Sequence, residues 1–172
     1  MTPAPTARLA FRSWRPDDLA LAETLFGDPE VTALVGGPFD RAAITARLAT
    51  ELANDAALGY CYWILRAPKP DNAFVGCCGL KPREPGTPEL GFYLCPAYWG
   101  GGYAVEASRA VVAHAFDTLD ADALFAGHHP ANHGSRAVLA KLGFTYAFDE
   151  LYPPTGLQHP GYLLRNPRRS AP

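Results

Sequence analysis

A run of three glycines lies between a predicted strand and a predicted helix, and it constrains the fold more than any other feature of the sequence. The strand covers residues 89–95, the glycines are Gly100, Gly101 and Gly102, and the helix begins at Tyr103. Glycine lets the main chain turn tightly and approach a ligand without a Cβ in the way. The helix offers free N–H groups and the positive end of its dipole. This arrangement predicts an anion site suited to a diphosphate, with a flexible turn before a helix as the alternative.

Two common nucleotide motifs do not fit this loop. A Walker loop ends in Gly-Lys-Ser/Thr, whereas Gly102 is followed by Tyr103 and Ala104. The dinucleotide-binding fingerprint requires a further glycine three residues after Gly102, where Val105 stands. Neither of these nucleotide-binding classes is therefore predicted.

Hydrophobic periodicity predicts one α/β domain with a mixed sheet of about seven strands and about four helices. Strands are predicted at residues 8–14, 60–65, 73–80, 89–95, 123–127, 144–151 and 161–164. Helices are predicted at residues 16–26, from Asp40 through Leu52 to a stop at Gly59, at about 103–119 and at 133–142. The prolines of residues 82–88 predict a loop. The domain spans residues 1–172, with a core at about 8–164 and a polar, frayed tail at 165–172.

Composition and charge narrow the function classes. Hydrophobic residues make up 48% of the chain and charged residues 19%, an ordinary balance for a globular protein. The formal net charge is −2, which gives no indication of binding to nucleic acid or to an anionic membrane. The first residues lack the features of a signal peptide, and no apolar run has the length of a membrane span. A cytoplasmic location is expected.

The four cysteines, Cys61, Cys77, Cys78 and Cys95, form no C-x-x-C pair. We expect reduced and mostly buried thiols, with Cys77 and Cys78 on opposite faces of one strand. A catalytic thiol is the alternative, and Cys95 at the end of a strand is its only candidate.

Two separated motifs indicate a family. Residues 99–107 read Trp-Gly-Gly-Gly-Tyr-Ala-Val-Glu-Ala, and Asn132, Ser135 and residues 141–144 (Lys-Leu-Gly-Phe) follow later in the chain. Together they resemble the GNAT acyltransferase superfamily, and within it the ribosomal-protein N-terminal acetyltransferases, the RimJ/RimL-like branch. The order of the predicted elements fits that family over residues 8 to about 164.

This resemblance implies the GNAT fold, in which a single, mostly antiparallel sheet splays apart at the coenzyme A site, and acetyl-coenzyme A as the cosubstrate. The loop would hold the pyrophosphate through main-chain N–H groups, and the pantetheine arm would lie along the preceding strand. The family commonly carries Arg, Lys or Gln in place of Gly101, and losing that contact costs about 1 kcal/mol. The implied cofactor-binding residues are Phe92, Tyr93, Leu94, Gly100, Gly101, Gly102, Tyr103, Ala104, Asn132 and Ser135.

Amine acetylation needs a proton acceptor for the amine and a proton donor for the leaving thiolate. Glu89 heads the strand that leads to the loop and shares a face with Gly91 and Tyr93. The family often has an acid at this place. We interpret Glu89 as a candidate general base, direct or through water, with a solvated charge at the end of a strand as the alternative.

The usual proton donor of the family is missing. Many relatives carry a tyrosine four residues after Ser135, and this chain has Leu139 there. Ser135 is therefore the candidate for protonating the thiolate or anchoring a water, with capping of its helix as the alternative. Asn132 is expected to bond the coenzyme arm or the adjacent backbone, to serve as a helix N-cap, or to do both.

Three histidines, His128, His129 and His133, form a cluster without a zinc motif. His129 and His133 are four residues apart, but Pro130 and Asn132 interrupt the helix that a zinc pair would need. No metal is expected, and His128 at the end of a strand is an alternative base. The aromatic residues Tyr60, Tyr62 and Trp63 are expected in the core, with a substrate platform as the alternative. His159 and Tyr162 are candidates to line the acceptor mouth.

The acceptor is predicted as a primary amine, with an α-amine favoured. Neutralising a lysine amine of pKa about 10.4 near pH 7 costs about 4.6 kcal/mol, whereas an α-amine of pKa about 7.8 costs about 1.1 kcal/mol. One candidate carboxylate base is better suited to deprotonating an α-amine, which can belong to a peptide N-terminus or to a small molecule. The predicted helices of residues 19–26 and 40–52, with the link 35–39, are expected to cover the acceptor side.

Two other functions stay open. A coenzyme-A-binding module with little activity fits the missing tyrosine, and a small-molecule resistance or detoxification acetyltransferase fits the same fold. Coenzyme A and the amine are the expected partners of a monomer or homodimer, with neither nucleic acid nor membrane.

Overall fold

Seven strands form one mixed sheet in the computed structural model, which describes residues 1–169. The strands are β1 (Ala10–Arg12), β2 (Tyr62–Ala67), β3 (Ala73–Glu84), β4 (Thr87–Leu94), β5 (Ala123–Gly127), β6 (Thr145–Tyr152) and β7 (Leu157–Arg165). The α-helices are α1 (Leu19–Phe26), α2 (Pro29–Thr32), α3 (Arg41–Leu58), α4 (Tyr103–Asp117) and α5 (His133–Leu142). The strand order β1-β2-β3-β4-β5-β7-β6 confirms the predicted α/β class.

One junction in the sheet differs from the others. Neighbouring strands are antiparallel except β4 and β5, which run parallel and share one paired position, Glu89 with Phe125. From Leu90 to Leu94, β4 pairs with β3 on one side and with no described strand on the other. The sheet therefore splays apart beyond Glu89, as predicted.

Side-chain caps and glycines define the ends of the helices. The Asp40 carboxylate accepts a hydrogen bond from the Ala43 N–H at 2.8 Å at the start of α3, and Gly59 ends that helix with a φ of +75°. The Asp28 carboxylate caps the four-residue helix α2 in the same way, through the Glu30 N–H at 2.8 Å. This short helix was not predicted, so the described residues contain five α-helices instead of about four.

The helices cover both faces of the sheet. On one face α4 contributes Ser108, whose Oγ lies 3.6 Å from the Sγ of Cys78 in β3. On the other face Phe26 of α1 packs edge-on against Tyr93 of β4, with 5.3 Å between the ring centroids. Since alternate residues of a strand share a face, Glu89 belongs to the same face of β4 as Tyr93. The candidate base therefore lies on the side of the sheet that α1 and α3 cover.

The prediction of a loop at residues 82–88 was wrong. β3 continues to Glu84, β4 begins at Thr87, and these two residues pair across a two-residue turn. An irregularity between Lys81 and Glu84 interrupts the ladder around Pro82, which has no N–H to donate. The longer hairpin matters for the site because it pairs Lys81 directly with Glu89.

The end of the chain is also more ordered than predicted. β6 and β7 leave only residues 153–156 as their turn. Asn166, predicted as part of a frayed tail, is 1% exposed, and its Nδ2 donates to the Ala121 carbonyl at 2.9 Å. Residues 170–172 of that predicted tail lie outside the described residues. Across residues 1–169, none of the helices combines the length and the apolar character needed to cross a membrane.

Candidate active site

The loop between β4 and α4 has the geometry of an anion site. Gly100 and Gly102 have φ values of +72° and +79°, which residues with a Cβ rarely adopt. None of the described side chains caps α4, and its first helical bond joins the Glu106 N–H to the Gly102 carbonyl at 3.1 Å. The N–H groups of Tyr103 and Ala104 precede that bond and have no partner within the helix. They are therefore available to an anion at the positive end of the helix dipole.

Arg8 lies beside this loop, which the sequence did not indicate. Its Nη1 donates to the Gly101 carbonyl at 3.0 Å, and its Cζ lies 4.0 Å from the centre of the Tyr103 ring. Its Nε and Nη2 bind the Glu106 carboxylate at 2.7 and 2.6 Å. A cation is thus present next to Gly101, where the chain lacks the basic side chain common in the family, although Glu106 already pairs with it.

The open edge of β4 leads from the loop to Glu89. Phe92 and Tyr93 are partly exposed, whereas Leu94 is buried and its carbonyl accepts a hydrogen bond from the Trp99 Nε1 at 2.8 Å. Because β5 pairs with β4 only at Glu89, this edge has free pairing positions. An extended ligand can lie there as an additional strand.

Glu89 is not the freely solvated charge that was considered as an alternative. Its side chain is 16% exposed, and its Oε1 lies 2.9 Å from the Lys81 Nζ. Its Oε2 lies 3.5 Å from the Nη1 of Arg83, and Arg83 also binds Glu150 at 3.0 and 2.6 Å. A carboxylate has about four acceptor positions, so these ion pairs orient Glu89 and leave room for a water or an amine.

Ser135 keeps its hydroxyl free because another side chain caps the helix. The Asn132 Oδ1 accepts a hydrogen bond from the Ser135 N–H at 2.9 Å, which makes Asn132 the N-cap of α5. The Ser135 Oγ bonds to no described residue, and Ser135 is partly exposed. Leu139, at the position of the family's tyrosine, is 2% exposed in the core. The geometry therefore leaves Ser135 as the hydroxyl on this part of α5.

His128 pairs with Tyr162 at the end of β5. Its Nδ1 lies 2.8 Å from the His129 carbonyl, an acceptor only, so Nδ1 carries the proton. Nε2 is then the acceptor toward the Tyr162 hydroxyl at 3.3 Å. Burial lowers the pKa of His128, which keeps the ring neutral near pH 7. His128 is thus chemically able to accept a proton.

The other histidines and the thiols are weaker candidates for catalysis or metal binding than His128. His159 is buried with its Nε2 3.0 Å from the Thr155 hydroxyl, and residues 1–169 contain no group of side chains able to hold a metal ion. Cys61, Cys77 and Cys78 are buried and Cys95 is partly buried. Burial raises the pKa of the Cys95 thiol, which disfavours the thiolate that a nucleophile requires.

The link between α2 and α3 meets the turn between β6 and β7. A Cβ placed on Gly36, in the link between α2 and α3, would lie 3.0 Å from Pro154 in the turn between β6 and β7. Tyr152 is partly exposed, and Tyr62 and Trp63 are buried as predicted. The link of residues 35–39 therefore contacts the turn between β6 and β7, and its role as a cover for the acceptor stays a prediction.

The glycine loop, the splayed sheet and the capped helix α5 occur together in one known family. Residues 8–145 match the family model described as Acetyltransferase (GNAT) domain. The chain belongs to the GNAT acetyltransferase family. The resemblance inferred from two motifs is thereby confirmed, and this GNAT protein is an acetyl-coenzyme-A-dependent N-acetyltransferase.

Relatives share most of the length of this GNAT domain. FsC-acetyl coenzyme A-N(2)-transacetylase from Aspergillus fumigatus is 34% identical over 149 residues, covering 76% of this chain and 61% of that protein. An acetyltransferase from Agrobacterium tumefaciens superposes with a TM-score of 0.82 at 26% identity, covering 96% of this chain and 95% of that one. RimL, a ribosomal-protein acetyltransferase in complex with coenzyme A, has a TM-score of 0.79 at 15% identity, covering 94% and 96%. RimL-type proteins thus share the fold of this chain.

Proposed function

We propose that this enzyme acetylates an α-amine, which attacks the thioester directly within a ternary complex. The observation that carries the proposal is the position of Glu89, where β4 and β5 part and on the face of the sheet turned toward α1 and α3. The anion site of residues 100–104 follows the other end of the same strand. Five residues of extended strand span about 17 Å, which suits a pantetheine arm between a pyrophosphate and a thioester.

The residues of the loop and strand fit coenzyme A. A Cβ on Gly100 would meet no atom within 4 Å, so the loop is open to a diphosphate. In the proposed complex the main-chain N–H groups of residues 100–104, including those of Tyr103 and Ala104, hold the pyrophosphate. Phe92, Tyr93 and Leu94 line the arm, and Asn132 and Ser135 line the opposite side of the gap. Acetyl-coenzyme A supplies the activated acetyl group and a thiolate leaving group.

Two proton transfers remain for the protein. Glu89 accepts the proton of the amine, directly or through a water, from a carboxylate held in place by Lys81 and Arg83. The Ser135 hydroxyl, free of bonds to described residues, donates to the departing thiolate or holds the water that does so. His128 is the second candidate for the base, since its neutral ring has an acceptor nitrogen.

These candidate catalytic groups suit an α-amine better than the amine of a lysine side chain. Deprotonating an α-amine near pH 7 costs about 1.1 kcal/mol, within the reach of one oriented carboxylate, and a lysine amine costs about 4.6 kcal/mol. The name of the Aspergillus fumigatus relative specifies transfer to a nitrogen, which supports an amine acceptor.

A panel of amines tests this function. With release of free thiol as the readout, α-amines are expected to react at least about tenfold faster than lysine side-chain amines at pH 7. Peptides with free N-termini, small α-amines and Nα-blocked lysine make up the panel. If calorimetry shows that acetyl-coenzyme A binds but no amine leads to release of thiol, the protein is a coenzyme-A-binding module. Turnover confined to bulky polyamine compounds would favour a resistance or detoxification enzyme.

Glu89→Gln is expected to slow the reaction mainly at low pH, by about tenfold at pH 6. The amide keeps the shape of the side chain but cannot accept the proton of the amine. Below its pKa of about 7.8 the α-amine is mostly protonated and needs a base, whereas well above it the mutant and the wild type converge. The measurement is kcat/KM against pH with one α-amine.

Glu150→Gln is the matched control, because it removes a charge from the same ion-pair network without changing the β4 carboxylate. Its pH profile should run parallel to that of the wild type. If Glu89→Gln slows the reaction equally at all pH values, Glu89 orients or binds the substrate and is not the base. If the substitution does not slow the reaction at all, His128 becomes the candidate base.

A further inference from the structure

A cation without an ion-pair partner among the described residues lies on the face of the sheet that α1 and α3 cover. The Cζ of Arg47, from α3, lies 4.1 Å from the centre of the Phe26 ring and 4.8 Å from that of Tyr93. Its Nε is buried with no hydrogen-bond partner, and the guanidinium forms no ion pair with any carboxylate of residues 1–169. Buried charges in proteins are normally paired and hydrogen-bonded, because desolvation without compensation is costly. An anionic partner from outside the chain is the direct way to complete this site.

The nearest acid on the same helix does not fill this role. Glu51 is buried one helical turn after Arg47, and its Oε2 accepts a hydrogen bond from the Tyr62 N–H at 2.8 Å. Burial raises the pKa of Glu51, while the Tyr62 N–H and the Arg47 charge oppose that rise. Glu51 therefore influences Arg47 electrostatically but leaves every donor of the guanidinium without a carboxylate acceptor.

A small cavity adjoins Arg47. Four residues line it: Phe39, Ala43, Ile44 and Arg47. Its volume of ≈ 170 Å³ is close to that of an engineered cavity of about 150 Å³ that binds benzene. The space suits a small compound and not a folded surface.

Arg47 and the candidate base lie on the same face of the sheet. Tyr93 and Glu89 belong to one face of β4, and Tyr93 carries the Arg47 guanidinium on its ring. Tyr152, from β6 on the far side of the gap, lies close enough to be affected by all three. Burial and Tyr93 raise the pKa of Tyr152, Arg47 lowers it, and Glu89 raises it. An acceptor held by Arg47 is therefore beside the face of β4 on which Glu89 lies.

We propose that Arg47 binds a carboxylate of the acceptor, so that the substrates are small amino compounds that also carry a carboxylate, such as free amino acids. The inference rests on the proposed function, because it names the class of that amine. A guanidinium presents a planar fork that matches a carboxylate with two hydrogen bonds. The rings of Phe26 and Tyr93 lie within 4.8 Å of the Arg47 Cζ, so they limit the directions from which an anion can approach the fork.

Matched pairs of amines test this inference in the wild-type enzyme. Each pair consists of an amino acid and the amine that lacks its carboxylate: glycine with methylamine, β-alanine with ethylamine, and phenylalanine with phenethylamine. Values of kcat/KM are compared per neutral amine, since the two members differ in amine pKa. The carboxylate member of at least one pair is expected to react about 30-fold faster, the gain typical of a charge-assisted contact.

Arg47→Met removes the fork and keeps an apolar stem over Phe26 and Tyr93. It should lose about 30-fold in kcat/KM for the carboxylate member and less than about threefold for its partner. Arg47→Lys, which keeps the charge but not the fork, should recover part of the preference. Arg41→Met is the control on the same helix, where Arg41 is exposed and paired with Glu23 at 2.6 Å. It should retain the preference in full.

The outcomes separate the inference from the function on which it rests. Equal rates within all pairs for the wild type, or a preference retained by Arg47→Met, would overturn the role of Arg47 and leave amine acetylation standing. The proposed function would instead be overturned if the folded enzyme binds acetyl-coenzyme A but acetylates no member of any pair and no peptide. The wild-type comparison decides the substrate class even where Arg47→Met does not fold.

Discussion

Gly102→Val is expected to weaken acetyl-coenzyme A binding by about 10²-fold while the protein stays folded. Gly102 has a φ of +79° at the N-terminus of α4, a conformation that a β-branched residue strongly disfavours. Relief of that strain rotates the start of the helix and redirects the N–H groups proposed to hold the pyrophosphate. Losing two charge-assisted hydrogen bonds of about 1.5 kcal/mol each accounts for the factor. Isothermal titration calorimetry with acetyl-coenzyme A measures it.

Gly59→Val is the matched control for backbone strain. Gly59 has a φ of +75°, and a Cβ there would meet no atom within 4 Å. It follows α3, on the opposite face of the sheet from α4. The two variants should lose similar thermal stability, but Gly59→Val should keep the affinity of the wild type. A folded Gly102→Val protein that loses no more stability than Gly59→Val and keeps the wild-type affinity would show that the loop does not bind the cofactor.

Ser135→Ala is expected to lower kcat by about 10²-fold, within the range for a positioned acid. The substitution removes a hydroxyl that bonds to no described residue and keeps the N–H that donates to Asn132. The cap of α5 therefore survives, and the melting temperature should change little. The Kd of acetyl-coenzyme A, measured by calorimetry, should stay nearly constant, so the loss falls on the chemical step.

Ser135→Thr provides the conservative comparison because it restores a hydroxyl at the same position. It should recover most of the rate that Ser135→Ala loses. A kcat for Ser135→Ala within about twofold of the wild type would make the residue structural. A loss confined to cofactor affinity would place Ser135 in binding and would leave the proton donor unassigned.

The parts of the site that sequence analysis anticipated are those encoded by consecutive residues. The glycine loop lies between one strand and one helix, so its glycines and the free helix terminus are recognisable together. Helix α5 runs from His133 to Leu142 as predicted, because Asn132 caps its start and Gly143 its end. Signals of this kind depend on local conformational preferences alone.

The parts that were missed depend on contacts between distant segments. Arg8 reaches Glu106 across 98 positions of the chain, and no local pattern links them. The prolines near Pro82 hid the extension of β3, and with it the pairing of Lys81 and Glu89. No local signal in the sequence indicates the role of Arg47, since its contacts with the rings arise only when α3 packs against α1 and β4.

The single paired position between β4 and β5 makes the sheet two half-sheets joined at one end. Arg83 crosses that junction, since it comes from β3, binds Glu150 of β6 and stacks over Phe125 of β5 at 3.7 Å. Glu89 belongs to the first half, whereas Ser135 follows the second. The distance between the proposed proton acceptor and the proposed proton donor is therefore set by the angle between the halves. A substitution at this junction is expected to alter both proposed proton transfers without changing either residue.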